Sequence, residues 1–211
     1  MQSAREQAQE WLRRGFVVVD TETTGTDPDA DIVQFAAIDS TGRIVLHSLI
    51  KPSQPIDTEG GAFRVHGLDD RALEHAPPFV RVWPAIHAVL CNKLVIAYNS
   101  GFDSKMLDQC QRKYKGIAER PLFGHEWQCA MLLYSRHIRV SKWQKLQAAC
   151  NDLGVKLDRA HDALYDCYAA LEVIKAIAGN TGSGEGMATV DDVLKEFPGS
   201  TVGIVGGDRP L

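Results

Sequence analysis

The chain has 211 residues, 45% of them hydrophobic and 24% charged, with a formal net charge of −4. That is enough for one domain with a full core and an appended tail, and it is the composition of an ordinary globular protein. No apolar run nears the roughly 20 residues of a membrane span, so no membrane partner is expected, and the charge argues neither for nor against nucleic acid.

The first residues, MQSAREQAQEWLRRG, are polar and of mixed charge, with no apolar h-region and so no visible signal peptide. Residues 3–14 read as a short amphipathic helix that offers Trp11 and Leu12 for packing. Phe16 to Asp20 is a strand. Residues 31–39 and 43–50 flank Ser40-Thr41-Gly42 as a hairpin, and residues 51–61 read as loop. Helical stretches are expected around 69–75 and 79–91. Lys93 to Tyr98 is a second buried strand, followed by a turn at Asn99-Ser100-Gly101 and a helix over 103–115. Residues 126–134 are ambiguous between strand and helix. Residues 142–153 read as a helix stopped by Gly154. From Asp162 to Ala178, Leu164, Cys167, Tyr168, Leu171, Ile174 and Ile177 fall on one side of an amphipathic helix. Residues 179–186, GNTGSGEG, form a linker, and 187–211 a tail with a helical piece near 189–197.

The five cysteines, Cys91, Cys110, Cys129, Cys150 and Cys167, are singly spaced. That pattern fits reduced thiols in a cytoplasmic setting and no zinc site.

Three places carry acids in an apolar setting. In FVVVDTETTG, Asp20 and Glu22 stand two residues apart at the end of a strand and so share a face, where like charges repel. A charged turn and a site for hard divalent cations, which prefer carboxylate oxygens, both fit. Asp103 follows the second buried strand, where it serves equally as a helix cap. In HDALYD, Asp162 reads as an N-cap and Asp166 borders the apolar side of the first turn, where an acid is costly unless paired or metal-bound. His161 and Asp166 would differ by about 140° around a common helix, so His161 reaches any shared site from the preceding loop.

Taken in order, VVVDTETTG, YNSGFD and HDALYD resemble the three motifs of the DEDDh 3′→5′ exonucleases, a family that includes polymerase III proofreading subunits, ribonuclease T and the TREX enzymes. RVHGLDD, residues 64–70, is similar to the H-G-[IL] segment of that family, and the likeness covers roughly residues 15–178. Tyr98 stands where many relatives have His, and Ser100-Gly101 replaces a commoner Ala-containing pair.

The resemblance implies a ribonuclease H-like α/β fold, with a central mixed five-stranded sheet flanked by helices. It implies an exonuclease domain over 1–178, with catalytic residues Asp20, Glu22, Asp103, His161 and Asp166. The four acids would hold two Mg²⁺ ions, with Mn²⁺ able to substitute, and His161 would be the general base, a role that suits imidazole at physiological pH. Thr23, Thr24, His66, Asn99 and Phe102 would contact the 3′ end of a single-stranded DNA, and the product would be a 5′ mononucleotide. An exoribonuclease is the nearest alternative, and an idle nucleic-acid-binding module a different one. A DNA polymerase partner and a homodimer stay open, and no clamp-binding pentapeptide is evident in the tail. From Asp103 to Lys145 lie nine Lys or Arg residues (105, 112, 113, 115, 120, 136, 139, 142, 145) against four acids (103, 108, 119, 126), a basic stretch suited to phosphate or to a solvated helix face.

Overall fold

The computed structural model describes residues 2–114, 126–157 and 159–179. The linker and tail expected over 179–186 and 187–211 lie almost wholly outside the described residues, as do Lys115, Glu119 and Arg120.

Five strands form one mixed sheet in the order β3-β2-β1-β4-β5. They are β1 (Val17–Thr23), β2 (Ile32–Asp39), β3 (Ile44–Leu49), β4 (Leu94–Ala97) and β5 (Glu126–Cys129). β1 is central, antiparallel to β2 and parallel to β4. The run Val17-Val18-Val19 suits that place, because a strand covered on both faces can be β-branched at every position.

The sheet divides two cores. Val18, Ala36, Ile38 and Ile96 face helices α1 (Ala4–Arg14), α5 (Ala130–His137), α6 (Leu146–Leu153) and α7 (Ala163–Ala178). Val17, Val19, Phe35 and Val95 face α3 (Phe79–Leu90) and α4 (Ser100–Lys113). α2 (Gly61–His66) lies beside the end of β1, where the His66 ring meets the Thr23 carbonyl.

Several expectations hold closely. Ser3 and Glu6 close a capping box at the start of α1, the hairpin falls at Ser40–Gly42, and Gly154 ends α6 in the left-handed conformation. Others change. β1 runs on through Glu22 to Thr23. Residues 70–75 form turns rather than a helix: the Asp69 carboxylate caps their start by accepting the Ala72 N–H (2.8 Å), but the bonds that follow, Glu74 N–H to the Arg71 carbonyl (3.4 Å) and Ala76 N–H to that of Leu73 (3.1 Å), span three residues rather than four. α2 falls partly within the expected loop. α4 begins at Ser100, so Ser100 and Gly101 are helical and Asp103 lies in the first turn rather than at the cap, which is Asn99.

α7 is buried on nearly every side. Cys167 lies fully buried against the sheet, its Sγ 3.7 Å from the Val18 carbonyl and 3.6 Å from that of Ala36. This small side chain lets the helix approach the central strands closely, which carries its neighbour Asp166 to the carboxyl end of β1.

Candidate active site

The site lies where β1 ends. Alternation along the strand sends Asp20 and Glu22 to the α7 side and Thr21 to the α4 side. One oxygen from each of Asp20, Glu22 and Asp166 falls within 4.8 Å of the others. Asp166 Oδ1 is buried and has no hydrogen-bond partner among the described residues, while Oδ2 accepts the His161 backbone N–H at 3.3 Å. A buried carboxylate oxygen without a donor is costly and awaits one or a cation. Three clustered carboxylates, one with an orphaned oxygen, are a fitting donor set for a hard divalent ion.

Asp103 stands beside this trio, on the other face. It is 2% exposed, and its Oδ1 accepts a hydrogen bond from Thr21 Oγ1 at 2.8 Å, Thr21 itself being buried. Of the four acids expected to act together, the structure therefore clusters three and holds the fourth through a threonine.

Burial dominates the electrostatics. It pushes Asp20 well above the usual carboxylate range, with the charges of Asp103, Asp166 and Glu22 adding to it. Burial and then the Asp166 charge push Glu22 up to about 8. Asp103 is pushed up to about 7 by burial, against the Thr21 hydrogen bond, and Asp166 to about 7, against the His161 N–H. Without a cation these acids share protons and titrate as a set.

A groove of about 610 Å³ opens beside Glu22, lined by Thr23, Thr24, Gly61, Val65, His66 and Phe102 among others. Four of the five expected substrate contacts are thus in one place. Asn99 is not among the lining residues; its carbonyl accepts the Phe102 N–H and starts α4. Both threonine hydroxyls are committed to the fold. Thr23 Oγ1 donates to the Gly25 carbonyl (2.8 Å), and Thr24 Oγ1 accepts the Asp31 N–H (2.9 Å).

His66 has a defined protonation state. Its Nδ1 accepts the Leu68 N–H (3.0 Å), so Nε2 carries the hydrogen and donates to the Thr23 carbonyl (3.2 Å). Burial disfavours the charged form; the bond to the Thr23 carbonyl opposes this, and the nearness of His161 adds to the effect of burial. His161 itself is exposed at the rim, with φ 69°, and belongs to the loop before α7 as expected.

The basic stretch is largely structural. Lys113 pairs with the buried Asp31 (2.9 Å), Arg112 pairs with Asp108, and Lys105 bonds the Thr26 carbonyl. Arg139, Lys142 and Lys145 are exposed and flank Trp143, which is 59% exposed. A larger groove, about 970 Å³, opens at the opposite end of β1, between Arg14 and Lys93; its one carboxylate, Asp39, is bonded to Arg43.

Sequence reasoning missed Thr21 and Gln34. Gln34 is 4% exposed on β2, directly across from Glu22, and bonds the start of α7. The signal for Gln34 is a polar residue amid the apolar run of β2, whereas Thr21, set between Asp20 and Glu22, carries none of its own.

The family model described as exonuclease matches residues 17–174, a span that contains every acid of the site. An exonuclease of Escherichia phage 186 is 33% identical over 183 residues, 82% of this chain and 93% of its own length. The epsilon subunit of DNA polymerase III from Rickettsia prowazekii is 25% identical, covering 86% of this chain and 81% of its own. Among solved structures, E. coli exonuclease I in complex with a dT13 oligonucleotide superposes with a TM-score of 0.62 at 19% identity, over 77% of this chain and 40% of that one. The mixed five-stranded sheet flanked by helices is accordingly the ribonuclease H-like fold that these exonucleases share. With the family match spanning the whole described sheet and a 33% identical relative matched over nearly its full length, the chain belongs to the exonuclease family.

Proposed function

We propose that this exonuclease removes nucleotides from the 3′ end of single-stranded DNA and releases 5′ mononucleotides. The observation that carries the reading is the trio of Asp20, Glu22 and Asp166, with an orphaned Asp166 oxygen, at the edge of a groove.

Asp20, Glu22 and Asp166 would hold two Mg²⁺ ions, which Mn²⁺ can replace, with the buried Asp103 adding negative charge beside them. Such ions activate water and offset the charge on the departing oxygen. The chain's own residues do the rest. His161, exposed at the rim and tied by its backbone to Asp166, takes the proton from the attacking water. The new P–O bond forms as the P–O3′ bond breaks, the freed 3′ oxygen takes a proton from solvent water and stays on the shortened strand, and His161 returns its proton to solvent. The Phe102 and His66 rings offer surfaces on which a terminal base can stack. His66 is held neutral and anchored at both nitrogens, so it positions substrate and moves no proton. Trp143, with Lys142 and Lys145 beside it, offers a further base and phosphate contact.

The dT13 oligonucleotide bound by exonuclease I supports a DNA strand as substrate, and the epsilon-subunit relative supports a role beside a DNA polymerase. The test uses DNA and RNA oligonucleotides of one sequence, each labelled at its 5′ end. Incubation with Mg²⁺ should give a ladder that shortens from the 3′ end, faster on DNA, and absent with EDTA or with Asp20→Ala protein. A faster RNA ladder reassigns the substrate to RNA, and no ladder on either polymer overturns the reading.

A further inference from the structure

We infer that Gln34 is a positioning residue, whose side chain holds the first turn of α7 against the sheet and so sets where Asp166 stands relative to Asp20 and Glu22. The inference rests on the metal-site reading above.

A helix leaves its first N–H groups without partners inside the helix. At α7, Asp162 meets one of them locally, its Oδ1 accepting the Leu164 N–H at 3.0 Å. The Ala163 N–H is buried and is met from another element, by Gln34 Oε1 at 3.2 Å. The other end of the same amide lies 3.3 Å from Asp162 Oδ1 and 3.0 Å from His47 Nε2 on β3.

These contacts fix the amide's orientation. Ala163 supplies a donor and the Asp162 carboxylate an acceptor, so only one flip satisfies both. The second amide hydrogen then points to His47 Nε2, which serves as acceptor. Gln34 thus joins β2, β3 and the start of α7 with every polar group of its side chain in use.

The link to the acids is short. Gln34 pairs directly across β1–β2 with Glu22, so both face α7. Asp166 follows one helical turn after Asp162, and its N–H bonds the Asp162 carbonyl at 3.0 Å. The loop residue His161 directly precedes Asp162. A shift of this turn therefore moves Asp166 and the His161 backbone together, away from a fixed Asp20–Glu22 pair.

Gln34→Met keeps the volume and removes all three hydrogen bonds. Ala163→Pro removes the N–H that Gln34 accepts, at the first helical position, where the backbone suits proline, and also sets two ring carbons into a fully buried site. Mn²⁺ titration of the full chain by calorimetry, without substrate, should show affinity reduced about 10- to 100-fold in Gln34→Met, the range typical of groups that orient metal ligands. Ala163→Pro should show a smaller loss, and the double variant less than the product of the two. On oligonucleotide, kcat should fall with KM unchanged. Mn²⁺ affinity within twofold of wild type in both variants, with only the melting temperature lowered, would overturn the inference and leave Gln34 a structural residue. If Gln34→Met does not fold, Gln34→Leu, which also lacks every hydrogen-bonding group, takes its place. Wild-type protein that binds Mn²⁺ but degrades no oligonucleotide refutes the exonuclease reading and leaves this one standing; wild-type protein that binds no Mn²⁺ refutes this one.

Discussion

The Thr21 hydroxyl donates a 2.8 Å hydrogen bond to the Asp103 carboxylate, from the face of β1 opposite Asp20 and Glu22. Strand and helix are thereby joined beneath the acid cluster, and this bond opposes the burial that raises the Asp103 pKa. Thr21→Val keeps the shape and removes the donor. A hydrogen bond to a charged group is worth about 1.5–3 kcal/mol, so melting should occur roughly 3–10 °C lower. Scanning calorimetry at pH 8, where Asp103 is mostly ionised, checks this.

Asp20→Asn should separate stability from function. In EDTA the variant should melt at a higher temperature than wild type, because it removes a buried carboxyl that must either carry charge beside Asp103, Asp166 and Glu22 or hold a proton that the unfolded chain releases. The rise in melting temperature on adding Mg²⁺ should vanish. Turnover should fall by more than the ~10- to 100-fold typical of residues one step removed from a metal.

The pH dependence of the metal-free protein follows from the same acids. Glu22 is pushed up to about 8 and Asp166 and Asp103 to about 7 in the folded state, whereas in the unfolded chain all titrate near ~4. Above pH ~4 the folded state binds more protons than the unfolded, so stability falls as pH rises through the folded values. His47 and His66, lowered chiefly by burial, act in the opposite direction at and below the ordinary histidine range of about 6.5. Between pH 7 and 8.5, then, the melting temperature in EDTA should drop, and the increment on adding Mg²⁺ should grow.

His161→Asn retains a residue that tolerates positive φ at an exposed position, so stability should change by no more than about 0.5 kcal/mol. As the proposed base, its loss should lower kcat about 10²- to 10⁴-fold while KM and Mn²⁺ affinity stay near wild type. Steady-state kinetics beside a calorimetric titration make the comparison.

Much of the fold was legible because its strands and α7 are written in apolar periodicity. Val17–Val19, Lys93–Tyr98 and the stripe from Leu164 to Ile177 each identify a buried surface without reference to the rest of the chain. The segment over 61–75 was not legible. There the backbone bonds of Glu74 and Ala76 span three residues rather than four, so a chain capped like a helix at Asp69 turns instead of continuing. At the site, spacing alone indicated that Asp20 and Glu22 share a face and that His161 comes from a loop. It could not separate Asp103 from the trio, because that depends on which face of the sheet α4 covers. Nor could it show that the Thr23 and Thr24 hydroxyls close a turn, since the partners, Gly25 and Asp31, are set by the loop's path.

The placement of the acids on a central strand also limits how this chain can vary. Asp20 and Glu22 face α7 only because they stand an odd number of positions after Val17 and Val19, which face α4. Deleting or inserting one residue between Val17 and Asp20 would turn both carboxylates into the opposite core and bring Thr21 to the site. Neighbours β2 and β4 hold the strand on both sides, so it cannot slide to compensate. Length changes in a library covering the whole chain should therefore be absent from active clones across residues 17–22, while apolar exchanges at Val17, Val18 and Val19 survive, and the exposed positions 53–55 should accept both kinds of change.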